Sequence, residues 1–428
     1  MTAPVVRLVI VSSRGPASLA GGVAVVLRSV CDQRMMRWRS LDEMAATFDP
    51  GQLAHHRAYG DGRLWPMLHD LPTHIDVGHE SRRAYVAVCR QLAQQLAAEL
   101  APDDHLWIHD YQLLPLGAAL RRAGARQRLG FFLHTPFPPL HALLALTEWR
   151  QIVADLCGYD SIGFQTAGDC AAFAAACHHA GQSRAVRRAF AAAVAVDAVA
   201  LRSSVAKTRP MQPHRIIGID RLDYTKGLPD RVSAIARAIA RNFAWHYLQV
   251  MPPARLERPA YPALAQELTR LADRSNTHLG RQAIQLHNVA LPHQSVLTLL
   301  AGARVCCVTP LRDGMNLVAK EFVAVQDAAD PGVLILSRGA GAARELDAAV
   351  LVEPGQPASL DAALARALTM GSAERRNRHA ALFAAVCRHG LNDWLNTCTT
   401  ALEQTVTEPQ RQASVTTPLP AVTAPMAA

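Results

Sequence analysis

Short apolar runs alternate with long Ala-, Leu- and Arg-rich segments along most of this 428-residue chain, and that alternation leaves few folds open. The runs Val5–Val11, Leu106–His109, Gly130–Leu133, Ser161–Phe164, Arg215–Gly218, Val305–Thr309, Val333–Leu336 and Ala349–Val352 have the length of strands. Between them, Ser81–Leu100, Leu114–Ala123, Ala167–His179, Leu228–Arg241, Ala263–Arg274 and Val318–Val325 carry helical spacing. Such alternation builds parallel sheets covered by helices. These strands are too many for one comfortable sheet. The pattern restarts after Val205–Pro213, where Pro210 and Pro213 break the helical spacing. The expected fold is α/β, with two doubly wound Rossmann-like domains facing each other. Sheets of this kind bind ligands at the carboxyl ends of their strands, so the interdomain cleft is the expected site.

Composition narrows the function classes. Of 44 basic residues only Lys207, Lys226 and Lys320 are lysine, against 35 acidic residues and a net charge of +9. The arginines are scattered, with no basic block and no interleaved aromatics, so nucleic acid is not an expected partner. No stretch reaches the roughly 18 to 20 apolar residues of a membrane helix. Nine cysteines, widely spaced apart from the adjacent Cys306 and Cys307, form no C-x-x-C pair, so neither zinc nor a disulfide framework is expected, and reduced thiols in a cytoplasmic protein are.

Two stretches carry the chemistry. Gly218–Leu228 leaves a strand and opens a helix, and places Arg221 and Lys226 where two cations and a helix N-terminus can cradle a diphosphate. Lys226 stands out because this chain otherwise uses arginine, and a compact ammonium serves where a guanidinium fork does not fit. Thr309–Glu321 also leaves a strand, turns at Asp313-Gly314 and enters a helix. The amides from Met315 through Asn316 and Leu317 to Val318 face the expected cleft. Glu321, about one turn inside the helix, can accept from a diol such as a ribose. Arg14 and Gly22 follow the first strand. Asp110 and His134 stand just past two others. Gly339-Ala340-Gly341 lacks the third glycine of a dinucleotide loop and reads as a tight turn.

Taken in order, Val11–Pro16 with Gly21-Gly22-Val23, Ile108–Pro115, Gly130–Pro138, Asp160–Thr166, Gly218–Pro229, Val308–Val323 and Pro331–Pro354 resemble the motif set of the trehalose-6-phosphate synthase family. Arg-Leu-Asp-Tyr-x-Lys-Gly and Thr-Pro-Leu-Arg-Asp-Gly-Met-Asn-Leu-Val-Ala-Lys-Glu are highly specific to it. The resemblance implies the GT-B fold, with an acceptor-binding domain at 1–205 and a nucleotide-sugar-binding domain at 206–385. A C-terminal helix at 386–406 would pack back on the first domain, and 407–428 would be a disordered tail. It implies a retaining transfer of glucose from UDP-glucose, or another nucleoside-diphosphate glucose, to glucose 6-phosphate. Small molecules would be the partners, with no metal and no cofactor beyond the sugar nucleotide; self-association is left open.

In family terms Arg221, Lys226, His134 and Asp313 would be catalytic. Gly22, Met315, Asn316, Leu317, Val318 and Glu321 would join Arg221, Lys226 and Asp313 around the donor. Arg14, Trp65, Asp110, His134 and Arg255 would hold the acceptor. The departures fall in the N-terminal half. Ser13 stands for the usual Asn, Gln112 for His, and His56 for a Tyr that helps hold the acceptor phosphate. The usual strand before the domain boundary is blurred into Ala193–Val199. Two alternatives therefore stay open: a transferase with another phosphorylated acceptor, such as glycerol 3-phosphate or a cyclitol phosphate, or a catalytically weak sugar-phosphate-binding paralogue.

Overall fold

The computed structural model describes residues 7–16, 22–34, 36–205 and 212–404. Lys207, the tail at 407–428 and the start of the first apolar run lie outside them. Twelve strands form two six-stranded sheets among the described residues. The first holds β1 (Leu8–Ser12), β2 (Arg37–Ser40), β3 (His105–His109), β4 (Arg128–Phe132), β5 (Ser161–Phe164) and β6 (Ala189–Ala191) in the order β2-β1-β3-β4-β5-β6. The second holds β7 (Gln212–Ile219), β8 (His246–Val250), β9 (Ile284–His287), β10 (Ala303–Val308), β11 (Val333–Ser337) and β12 (Val350–Val352) in the order β12-β11-β10-β7-β8-β9. Every pairing is parallel.

The order fixes where a ligand can sit. In each sheet the chain starts inside and winds outward in both directions, so a crevice opens where the direction reverses. In the first sheet that point lies between β1 and β3, and in the second between β7 and β10. Where the strands enter these crevices they are buried on both faces because helices cover both; β7 is buried over its last four residues and β10 at all six.

Helices supply the cover through one apolar stripe each. Arg82–Glu99 buries Tyr85, Val88, Cys89, Leu92, Ala93 and Leu96, a spacing of three and four that marks one helical face. Leu228–Arg241 does the same with Leu228, Val232, Ile235 and Ile239. The last described helix, Leu391–Glu403, leaves the second sheet and lies on the first. Its Trp394, Leu395 and Cys398 share a core with Ile10, Trp107 and Phe132.

Four observed strands, β2, β6, β8 and β9, were not among the expected ones, and Ala193–Val199 is not a strand. There the chain runs from β6 into helix Ala198–Ser204. No ladder forms, because the segment is already held by other bonds. Gln165 Oε1 accepts from Val194 N at 3.2 Å, and Lys320 Nζ donates to Val194 O at 2.8 Å. Lys320 also meets Glu345 at 2.6 Å. It is a structural tie between the two halves and does not line the cleft.

Candidate active site

A cleft of about 870 Å³ runs between the two sheets. On one side are the ends of β1 and β3 with the loops after them: Ser12 to Gly15, and His109 to Gln112. On the other are the ends of β7 and β10: Ile219 to Arg221, and Asp313 to Val318. Both switch points therefore open onto one cavity. Of the expected site residues, Arg14, Trp65, Asp110, His134, Arg221, Lys226, Arg255, Asp313, Met315, Asn316, Leu317, Val318 and Glu321 all line it. Gly22 begins helix Gly22–Arg34, whose next residues Ala24 and Val25 line the same wall.

The second-domain wall is built around Asp313. Lys226 Nζ lies 2.5 Å from Asp313 Oδ2. The carboxylate also accepts from Asn316 Nδ2 at 2.9 Å and Gly314 N at 3.0 Å. Burial pushes the Asp313 carboxyl up, but Lys226, His69 and Asn316 prevail and hold it below the usual range. Lys226 sits in the turn before helix Leu228–Arg241, which is closed by Gly227 at φ 61°. Only glycine takes that conformation cheaply, and the carbonyl of Thr309 leaves no room for a Cβ. Asn316 adopts φ 59° as it caps helix Leu317–Val325. Leu317 and Val318, the first residues of that helix, line the cleft, and a helix start carries partial positive charge.

Arg231 was not foreseen, and it organises this wall from behind. It is fully buried on the inner face of its helix. Its guanidinium donates to Asp220 Oδ2 at 2.5 Å, Thr309 Oγ1 at 2.8 Å, Gln249 Oε1 at 3.1 Å and Lys226 O at 3.2 Å. One side chain thus ties the ends of β7, β8 and β10 to the Lys226 turn.

The first-domain wall centres on Asp110 and His134. Asp110 takes φ 75°, a conformation costly for a non-glycine residue. It is bonded by His134 N at 3.2 Å. Burial is the largest influence on its carboxyl and pushes the pKa up to about 6, although amides of Tyr111, His134 and Thr135 and the charge of Arg221 oppose the shift. His134 is buried and contacts His109 Nδ1 through Nε2 at 3.0 Å. Burial lowers its pKa to about 3, so it is neutral at physiological pH. Its carbonyl oxygen meets the other domain directly: a Cβ on Gly314 would collide with it. Gly339 and Gly341 seat the Pro310–Met315 loop from behind, and they are not in the cleft lining.

Between the walls, Trp65 is sandwiched. Arg255 lies over its ring at 4.1 Å, Arg221 at 5.1 Å, and the His69 ring packs tilted at 4.0 Å. Arg255 also reaches Asp223 Oδ2 at 2.8 Å, Asp61 Oδ1 at 2.9 Å and the Tyr111 hydroxyl at 3.0 Å. It is thus compensated by two carboxylates, one from each domain. Three of the four non-glycine residues with positive φ among the described residues, Asp110, Arg255 and Asn316, line this one cleft. Strained backbone of this kind gathers where geometry serves a ligand.

His56 is not in the lining. It is buried against Tyr85 at a ring distance of 5.1 Å, and its Nε2 contacts the carbonyl of Gln112 at 2.9 Å. Burial drops its pKa to about 4. Its neighbour Arg57 is exposed and lines the cleft, 3.3 Å from Asp42. The helix phase explains the difference, since adjacent residues point about 100° apart. Besides Arg57, the cleft includes Glu43, Asp61 and His293, none of which sits in a motif read from the sequence, and Gln165, which lies in the Asp160–Thr166 motif but was not singled out. Among the described residues, no group of three His, Cys, Asp or Glu gathers as a metal site. None of the nine cysteines is in a disulfide, and no described helix is long and apolar enough to cross a membrane.

The glycosyltransferase family 20 model matches residues 44–199 and 186–404. A trehalose-6-phosphate synthase of Sinorhizobium fredii is 36% identical over 448 residues, covering 91% of this chain and 96% of the relative. One of Cronobacter sakazakii is 35% identical over 399 residues, covering 86% and 84%. A UDP-forming α,α-trehalose-phosphate synthase from Burkholderia xenovorans, solved in complex with glucose-6-phosphate, superposes with a TM-score of 0.84 at 32% identity, covering 93% of this chain and 100% of that one. A structure from E. coli bound with UDP-2-fluoro glucose gives a TM-score of 0.83 at 30% identity, covering 94% and 99%.

Proposed function

Since the chain belongs to glycosyltransferase family 20, among its trehalose-6-phosphate synthases, we propose that it transfers glucose from UDP-glucose to glucose 6-phosphate with retention of configuration. The products are trehalose 6-phosphate and UDP. The observation that carries this reading is the single cleft in which Lys226, Arg221 and the start of helix Leu317–Val325 lie across from Asp110, His134 and Arg14.

The donor occupies the second-domain wall. Its diphosphate lies against Lys226, Arg221 and the amides of Leu317 and Val318, with Gly22 and its helix start closing the pocket from the first domain. Asp313, Met315 and Asn316 hold the glucosyl unit, and Glu321 takes the ribose. As the glycosidic bond breaks, negative charge grows on the leaving diphosphate. Preorganised cations and amides stabilise that charge. They supply the charge a metal would otherwise bring, so the transfer is proposed to need none.

The acceptor occupies the first-domain wall. Arg14 and Arg255 take its phosphate, with Arg57 on the same side. Trp65 supplies an apolar face, and Asp110 accepts from sugar hydroxyls. His134, neutral and placed at the seam, lies between the two sugars. As the family resemblance implies, front-face transfer is proposed, in which the departing phosphate oxygen takes the acceptor hydroxyl proton. Catalysis then rests on alignment and charge stabilisation.

The test is to incubate the purified protein with UDP-glucose and either glucose 6-phosphate or glycerol 3-phosphate, and follow UDP and product by mass spectrometry. UDP release with a disaccharide phosphate only in the first mixture is expected. Release only with glycerol 3-phosphate would overturn the acceptor assignment.

A further inference from the structure

His293 and Glu321 form a pair across two helices. His293 opens helix His293–Ala301 and Glu321 lies within Leu317–Val325; both side chains line the cleft. His293 Nε2 is 2.8 Å from Glu321 Oε1. The glutamate is 8% exposed and the histidine 34%. No other described residue bonds this carboxylate, so Oε2 is left for a ligand.

A buried carboxylate beside a diphosphate pocket is an electrostatic problem. Like charges in a poorly hydrated cleft repel, and the ligand carries two negative charges of its own. Neither lysine of the flanking motifs is bonded to Glu321. Lys226 is held by Asp313, and Lys320, next to Glu321 in sequence, points to Val194 O and Glu345. Around His293 the lining residues Ala290, Leu291 and Val296 are apolar, and Gln294 is turned to Ser204 O.

We propose that His293 is a positioning residue for the donor nucleotide: as an imidazolium it holds and neutralises Glu321, so that Oε2 can accept from the ribose diol beside the anionic diphosphate. This rests on the donor site described above. Bonding to Glu321 raises the imidazole pKa above its ordinary value, with burial opposing, and Glu321 is the titratable group that acts on it. The imidazole is therefore charged below that raised pKa and loses its charge as pH rises through it. Donor binding should be tight at low pH and weaken at high pH.

UDP-glucose alone is the probe, because its diphosphate diester keeps a constant charge between pH 6 and 9. Its affinity, measured calorimetrically in that range, should fall about three- to tenfold for the unmodified protein, the scale of one partly screened charge-assisted bond. His293→Gln keeps a neutral donor and should be flat at the weaker level. His293→Arg keeps a permanent charge and should be flat at the tighter level. Thermal melts of both variants at pH 7 separate misfolding from lost affinity. A pH slope that survives in both variants, or a flat profile in the unmodified protein, overturns the inference. Failure of the unmodified protein to bind UDP-glucose at any pH overturns the donor-site reading, and this inference with it.

Discussion

Lys226→Ala is the most informative single change. The ammonium is 2.5 Å from Asp313, with side chains only 7% and 12% exposed. Charges so placed act through an effective dielectric well below that of water; two unit charges 4 Å apart at a dielectric of about 20 interact by about 4 kcal/mol. Removing one preorganised group that stabilises transition-state charge costs about 2.7 to 4 kcal/mol, or a 10²- to 10³-fold loss in kcat. That is the expected loss of turnover with UDP-glucose and glucose 6-phosphate. The fold should survive, because Asp313 keeps Asn316 Nδ2 and Gly314 N. The variant separates two explanations. If Lys226 merely compensates Asp313, then adding Asp313→Asn to Lys226→Ala should restore activity. If it stabilises the leaving diphosphate, the double variant should be no faster than the single one, and slower still because Asp313 also holds the glucosyl unit. Turnover of Lys226→Ala within about fivefold of the original, or rescue by Asp313→Asn, would refute the assignment.

Four further outcomes follow from the same geometry. Arg231→Met strands Asp220 without its cation, and should lower unfolding free energy by about 3 to 5 kcal/mol in a denaturant titration; a change below 1 kcal/mol would mean the network is redundant. Gly314→Ala drives a methyl into the His134 carbonyl, so kcat should fall steeply and stability should drop by about 1 to 3 kcal/mol in a thermal melt. Asp110, with its pKa raised to about 6 mainly by burial, is neutral below that value and ionised above it; kcat/KM for the acceptor should fall on the acid side more steeply than the second ionisation of the sugar phosphate, at about 6, accounts for, and Asp110→Asn should leave only the acceptor's own limb. His134 cannot supply that limb, since it stays neutral down to about 3. Leu395→Ala empties a buried position on the last helix and should cost about 2 to 5 kcal/mol, measured by thermal or chemical unfolding.

What could be read from the sequence depended on how much of each signal was local. The inner strands β3, β4, β5, β10 and β11 are continuous apolar runs flanked by turns, and they were legible. The strand β2 reads Arg-Trp-Arg-Ser, with charges on its edge positions, and β9 alternates polar residues. Their strand character comes from pairing with a neighbour, which no local window contains. Motif residues such as Lys226 and Asp313 announced themselves by rarity and by strand-turn-helix context. Arg231 did not, because a buried arginine on a helix looks like any surface arginine until Asp220, Gln249 and Thr309 converge on it. His56 against Arg57 turned on helix phase, which fixes direction only once the ends of the helix are known. His293 was silent because its partner is 28 residues away on another helix.

The central claim is that one cleft binds a sugar nucleotide and a sugar phosphate together and joins the two sugars. The most direct measurement is the proton NMR spectrum of the product formed from UDP-glucose and glucose 6-phosphate. The account predicts stoichiometric UDP and a 1,1-linked disaccharide phosphate with both anomeric centres α. A β-configured centre at the transferred glucose, or UDP released with free glucose and no disaccharide, would contradict it.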